Sequence, residues 1–414
     1  MSESLPQSAW LPQWWSERSL QIARCAAIGA VATVPFSTAL TSLSALVLLV
    51  AWLSSGQAHR LLADALRQPL GAALAVFFAV LALGMLYSAA EWNARLDALW
   101  SWRKLAYTVI LLPLFAAERW KRAFLVAFLA VAGTALVASL PSWLGWVPPH
   151  RPGDEPGVVL QNHATQGMVF ALALLCCHQL ARGASRRVHV GLLALGALFA
   201  LNVVFVTAGR SGYVALAVVL ATIGISQLGW RRAPLVAIIV VVLGGLALSA
   251  SSTMRERIAL GVKEATQFDP AAGYSSLGFR RVAFENTFEL ISRAPILGHG
   301  TGSFLKVYSA HVAAKYQDWR AERAWDPHNQ YLFIAFENGV IGLAAFVAFL
   351  VAAFATRGVA SRYRWIALGA LAAWILTSLF SSHFKTFPEG HLIGLFLGAM
   401  LAGRARRASA EDTA

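Results

Sequence analysis

Apolar runs close to 20 residues long recur along almost the whole chain, separated by short polar turns. Wound as a helix rising 1.5 Å per residue, such a run crosses a hydrocarbon core about 30 Å thick. Inside lipid the backbone must satisfy its own hydrogen bonds, so the runs are read as helices; the two-residue alternation of a membrane barrel is absent. The pattern predicts spans at 20–36, 38–55, 69–89, 103–117, 122–140, 158–181, 188–208, 211–229, 233–250, 329–353, 363–381 and 390–403. The expected fold class is an all-α polytopic membrane protein with about 12 transmembrane helices.

One stretch breaks the rhythm. Residues 251–328, between the ninth and tenth spans, hold the densest collection of charged, polar and glycine residues. Segments of that length rarely lack structure of their own, and such loops tend to carry function. Within it, 278–293 (GFRRVAFENTFELISR) reads as an amphipathic helix. Arg281, Glu285, Glu289 and Arg293 recur every four residues as a self-pairing charged face. Arg280 instead shares a face with Phe284, Phe288 and Ile291, where it needs an anionic partner. The chain therefore divides into 1–250, nine spans with short loops; 251–328, a loop domain with amphipathic helices; and 329–414, three spans and a tail.

Composition sharpens this picture. Of 414 residues, 58% are hydrophobic and 13% charged, about half the charged share of a soluble domain. The net charge of +14 would suggest nucleic acid in a soluble protein. Here eighteen basic residues lie on one alternating set of loops and the termini, six on the opposite short loops, and ten in the long loop. That asymmetry predicts both termini in the cytoplasm and the long loop in the periplasm. Anionic membrane lipids, not nucleic acid, are the expected partners of the basic face. The N-terminal lead-in, with Trp10, Trp14 and Trp15, reads as an uncleaved interfacial segment. Cys25, Cys176 and Cys177 all fall in apolar runs and suggest neither disulfides nor a metal set.

Candidate chemistry gathers on the predicted periplasmic side. In Trp325-Asp326-Pro327-His328-Asn329, Asp326 is expected to cap the tenth span, with Pro327 first and His328 in the first turn. A helix N-terminus attracts anions and favours a neutral imidazole, which can act as a general base. Arg210 lies in the short turn Thr207–Tyr213, and a guanidinium held there can grip phosphate bidentately. His163 opens the sixth span on the same side. Lys385 and Glu389 read as a local pair, and Glu337, well inside the tenth span, as partnered by a polar neighbour. Asp154 and Glu155 are adjacent and cannot project together as a catalytic pair. No D-x-D, H-E-x-x-H, G-x-S-x-G or P-loop pattern is present, so neither a metal nor a cofactor is expected.

Two further segments complete a signature. PILGHGTGSF (Pro295–Phe304) is followed some 20 residues later by DPHNQYLFIAFENGVIGL. Together they resemble the signature region of the O-antigen ligase and polymerase superfamily: a P-x-L-G-x-G-x-G-x-F turn, an H-N-x-x-L helix start and an E-x-G-x-x-G stretch. The matching residues are Pro295, Leu297, Gly298, Gly300, Gly302 and Phe304; His328, Asn329 and Leu332; and Glu337, Gly339 and Gly342. Arg280 matches the superfamily's arginine ahead of its amphipathic helix, and Arg210 the arginine of its T-x-G/S-R-S-G turn. Phe284 stands where tryptophan is frequent. Size and basic topology look most like the ligases of lipopolysaccharide assembly.

The resemblance implies a glycan donor linked to undecaprenyl diphosphate and an acceptor hydroxyl on the lipid A core. Transfer would take place on the periplasmic side of the bacterial inner membrane, without cofactor or metal and with inversion at the anomeric carbon. Arg210 and Arg280 would bind the diphosphate and His328 would deprotonate the acceptor, with His163, Asn329 and Tyr331 as further substrate contacts. O-antigen polymerases and protein O-oligosaccharyltransferases share the donor and differ in acceptor. A lipid-linked oligosaccharide flippase would place charge near the midplane and carry internal repeats. Only Glu337 fits the first expectation, and no repeat is evident.

Overall fold

The computed structural model describes residues 12–148, 155–267, 269 and 273–403. Trp10, Arg151, Asp154 and the basic tail residues Arg404, Arg406 and Arg407 lie outside them. Among the described residues all regular structure is helical. α1 (Gln13–Thr33) and α2 (Thr38–Ser54) form a hairpin around Pro35, and α3 (Ala58–Leu66) bends away from α2 by 103°. The bundle continues through α4 (Pro69–Leu86), α5 (Trp92–Leu114), α6 (Glu118–Trp143) and α7 (His163–Ala181), then α8 (Arg186–Phe205), α9 (Arg210–Leu228) and α10 (Ala233–Ala250). α11 (Ser252–Thr266), α12 (Ser276–Arg293) and α13 (Phe304–Lys315) fill the long polar segment. α14 (Gln330–Ala355), α15 (Ser361–Thr377) and α16 (Phe387–Leu401) complete the chain.

Each expected apolar segment holds a helix, but the helices are unequal. Among the described residues seven are long and apolar enough to cross a membrane, or eight if the bent α2–α3 pair is one span. Of the remaining segments, α5 carries Arg95, Asp97, Arg103 and Lys104, while α15 has 17 residues and α16 only 15. Large apolar side chains such as Ile238, Val241 and Leu246 stand bare on α10, and Val188 and Val190 on α8. Surfaces this apolar need lipid as their solvent, and the chain is a polytopic membrane protein. Nearly all of α16 and most of α7 is buried, so these two form the centre of the bundle.

Small residues let the central helices meet. A methyl group on Gly167 of α7 would come 2.6 Å from the Gly212 Cα of α9, so the two backbones touch directly. This contact lies one turn into α7 and within the first turn of α9. It brings His163 and Arg210 to the same end of the bundle.

The polar segment is laced onto that end. Ser251 Oγ accepts the Met254 N–H at the start of α11 and donates to the Val204 carbonyl at the end of α8. Arg257 of α11 pairs with Glu155. The glycine-rich turn after α12 inserts into a break in α14, where Gly339 has φ 61°. His299 and Gly300 donate to the carbonyls of Phe336 and Glu337, and Val340 donates to that of Pro295. The turn thus supplies partners that the broken helix lacks, and Glu337 accepts the Gly302 N–H at 3.0 Å.

α12 is amphipathic as expected, but its buried face is turned by about one residue. Phe279, Val282, Ala283, Asn286, Thr287 and Leu290 pack inward. Arg280 and Phe284 sit on the flank, and Phe288 is exposed. Polar Asn286 is buried because α13 supplies its partners, His311 and Lys315. The charged face pairs as read, Arg281 with Glu285 and Arg293 with Glu289.

Candidate active site

Arg210 is the first residue of α9, and its turn is anchored from below. Gln166 Nε2 donates to the Gly157 carbonyl and to Thr207 Oγ1. Thr207 donates to Asn202 Oδ1 at 2.8 Å, and Asn202 in turn donates to Ser139. This buried network ties α6, α7, α8 and the turn together, and satisfied networks of this kind hold one geometry. Gly209 lies against His163, whose Cδ2 would be 3.1 Å from a methyl group there. The guanidinium of Arg210 lies over Gly261 of α11, 3.2 Å from where a β-carbon would stand. Its Nη2 is 3.7 Å from Glu264 Oε2.

Arg280 enters from the first turns of α12, which Ser275 caps through the Gly278 N–H. It is half-buried, and its guanidinium has no hydrogen-bond or ion-pair partner among the described residues. Burial, then the like charge of Arg210, pushes its pKa down, while Asp326, Glu264 and Tyr274 pull it up. An arginine stays charged through such shifts. These influences put both guanidinium groups and both carboxylates in one neighbourhood.

His328 differs from the expected first-turn position. α14 begins at Gln330, and Asn329 caps it, accepting the N–H groups of Tyr331 and Leu332. Asp326 instead accepts the His328 N–H at 2.6 Å, a tight turn through Pro327. His328 lies just outside the helix with φ 53°, the left-handed region, and no other non-glycine described residue does so. Its ring meets Phe279 of α12 edge-on, with centroids 6.1 Å apart, and Nδ1 is 3.8 Å from Asp326 Oδ1. Burial pushes the imidazole pKa below its ordinary value; Asp326 opposes this and the Arg280 charge adds to it. The ring is therefore neutral near pH 7.

The other named residues divide. Asn329 is committed to the cap and to the Leu379 carbonyl, and the Tyr331 hydroxyl donates to the Ile375 carbonyl. Asn329 braces the His328 segment against the loop after α15, and Tyr331 braces it against the last turn of α15. Lys385 and Glu389 do not pair. Glu389 accepts the hydroxyls of Thr165 and Thr386, while Lys385 lies over the Phe333 ring. His299, His311 and His391 each have ordinary polar partners. Among the described residues, no group of three or more His, Cys, Asp or Glu side chains is disposed to hold a metal.

Two neighbours of the site carry no signal in the sequence. Glu264 comes from α11, whose position only the fold reveals. His383 is 2% exposed, and neither ring nitrogen has a partner among the described residues. Burial pushes its pKa down, Glu389 and Asp326 pull it up, and Arg280 pushes it down again. His383 thus shares Asp326 and Arg280 with His328. Gln330 links the two segments, donating its N–H to the Ser378 carbonyl and accepting the Phe384 N–H.

Comparison with known proteins points the same way. Residues 195–347 match the family described as O-antigen ligase, a stretch that contains Arg210, Glu264, Arg280, His328 and the α14 break. The chain is also similar to a protein named O-antigen ligase from Salmonella typhimurium strain LT2, 27% identical over 254 residues. That alignment covers 59% of this chain and spans 60% of the relative's length. The family's region lies over the segment that assembles these side chains, and over that segment the chain is similar to O-antigen ligases.

Proposed function

We propose that this protein transfers a glycan from undecaprenyl diphosphate to a sugar hydroxyl of the lipid A core. The reaction is placed at the periplasmic side of the inner membrane, with both termini in the cytoplasm and about twelve membrane crossings. The observation that carries the reading is the nearness of two guanidinium groups, one without a partner among the described residues, to a neutral imidazole at one end of a membrane bundle. A half-buried arginine without a partner calls for an anion. A diphosphate meets that demand with oxygens for both arginines.

In the proposed step, His328 takes the proton of the acceptor hydroxyl as its oxygen attacks the anomeric carbon. The bond from that carbon to the diphosphate oxygen breaks, and its electron pair leaves with the lipid diphosphate. Arg210 and Arg280 stabilise that growing charge, the role a divalent ion plays in many phosphate-releasing enzymes. Direct displacement on the face opposite the leaving group inverts the centre. Asp326 holds the His328 backbone and faces its ring, and so orients the base. His163, beside the Arg210 turn, is positioned to contact the glycan or phosphate.

The acceptor decides between branches of the superfamily. Purified protein given lipid-linked glycan with lipid A core, with a second lipid-linked glycan, or with an acceptor protein should extend the first. Extension of either other acceptor alone would reassign the chain to a polymerase or a protein glycosyltransferase. Movement of the donor across a vesicle without a new glycosidic bond would remove the transferase reading.

A further inference from the structure

Glu264 occupies the place the proposed diphosphate needs. Its Oε2 lies 3.7 Å from Arg210 Nη2, and only 16% of its side chain is exposed. The same oxygen accepts the Leu277 N–H at 3.3 Å. That N–H is one of the free donors at the N-terminus of α12. Its charge also reaches Arg280. One arginine in contact, a second arginine nearby and an N-terminal helix N–H form a donor set suited to phosphate oxygens. A carboxylate of this chain now uses it.

The contact is loose. Charge-assisted pairs close to about 2.7–2.9 Å, and Arg210 and Glu264 stand well outside that range. Glu264 lies in the last turn of α11, so a rotation of its side chain releases the donor set without unfolding the helix. Gly261, one turn earlier, leaves room for Arg210 to stay against α11 as this happens.

We propose that Glu264 is a displaceable internal anion, which pairs with Arg210 beside Arg280 between turnovers, yields the site to the diphosphate of the donor, and competes to expel the diphosphate of the used carrier. The inference rests on the transferase reading above and adds a residue that tunes affinity. The used carrier keeps the diphosphate and bares its terminal phosphate with added charge, so a site built only to attract that group would retain its product. A resident carboxylate weakens both complexes and speeds release.

The test uses the full chain in nanodiscs, with binding of undecaprenyl diphosphate measured directly and kcat and KM measured with lipid-linked glycan. Glu264→Gln keeps an acceptor for the Leu277 N–H and removes the charge. It should tighten undecaprenyl diphosphate by about three- to tenfold, the competition of a single ion pair. KM should fall with it, and kcat should fall as the used carrier leaves more slowly. Unchanged or weaker binding in a variant that melts like the parent would overturn the proposal and reduce Glu264 to a helix cap. If Glu264→Gln does not fold, Glu264→Asp retracts the charge from Arg210 and should tighten binding to a smaller degree; no tightening again overturns it. Arg210→Gln and Arg280→Gln separate the two readings. If they lose binding and the Glu264 variants behave like the parent, only the role of Glu264 falls. If they bind like the parent, the diphosphate reading itself falls.

Discussion

His328 holds a left-handed backbone, φ 53°, that costs a non-glycine residue about 1–2 kcal/mol. The Asp326 turn and the Asn329 cap maintain it on either side. Asn and Gly tolerate this conformation best, so His328→Asn and His328→Gly should fold and melt like the parent while transfer falls about 100- to 10,000-fold, the usual contribution of a general base. A melting curve beside a glycan-transfer assay checks both halves. The pH profile follows from the same neighbours. The base must be neutral, so activity is lost as pH falls through the His328 pKa, and the acid limb should lie below the ordinary histidine value of about 6.5. Asp326 raises that pKa, so Asp326→Asn should move the limb to still lower pH; a limb moving upward would contradict the assignment. His328, Arg210 and Arg280 were legible in the sequence from residue type and the side of the membrane they were read to share. The backbone twist was not, because it depends on which of Asp326 and Asn329 caps the helix, and both are good caps. Glu264 and His383 were invisible for a different reason: each owes its position to packing between segments distant in the chain.

At the scale of elements, the glycine-rich turn acts as a lock between the polar layer and the bundle. A methyl group on Gly339 would stand 2.1 Å from the Ile296 carbonyl oxygen, and one on Gly298 would stand 2.5 Å from the Glu337 carbonyl carbon. Both glycines have positive φ, so an added side chain meets strain as well as a clash. Gly339→Ala and Gly298→Ala should each destabilise the protein by about 2–4 kcal/mol, read as a lower melting temperature in detergent. The motif was recognisable in the sequence as a close-packed turn, but its receptor, a break in what reads as one apolar helix, was not. α12 shows the limit of periodicity in another way. Apolar spacing assigned Arg280 to the packed face, but Asn286 and Thr287 are buried in place of Phe284 and Phe288. A polar residue with partners on α13 packs as well as an apolar one, and a phenylalanine beside lipid need not be buried.

Across the whole molecule, the starts of α7, α9 and α14 and the layer α11–α13 share one end, and the arginine-rich turns between α7 and α8 and between α9 and α10 lie at the other. Apolar runs made this alternation readable, because lipid leaves a helix few alternatives. The number of crossings was less readable: among the described residues seven or eight helices are long and apolar enough, since α5 carries charge and α16 is short. Sidedness has a direct check. In intact cells a membrane-impermeant maleimide should label Tyr274→Cys, and should label Trp230→Cys only after permeabilisation; the reverse pattern would put the site in the cytoplasm. Both positions are exposed, at 59% and 70%.

The most direct measurement follows transfer of glycan from undecaprenyl diphosphate to lipid A core by the purified parent, Arg210→Gln, Arg280→Gln and His328→Asn in one membrane preparation. Transfer by the parent, with little or none by the three variants despite unchanged melting, is the result predicted. Undiminished transfer by any of the three would contradict the shared site, and a folded parent that transfers to no acceptor would contradict the reaction.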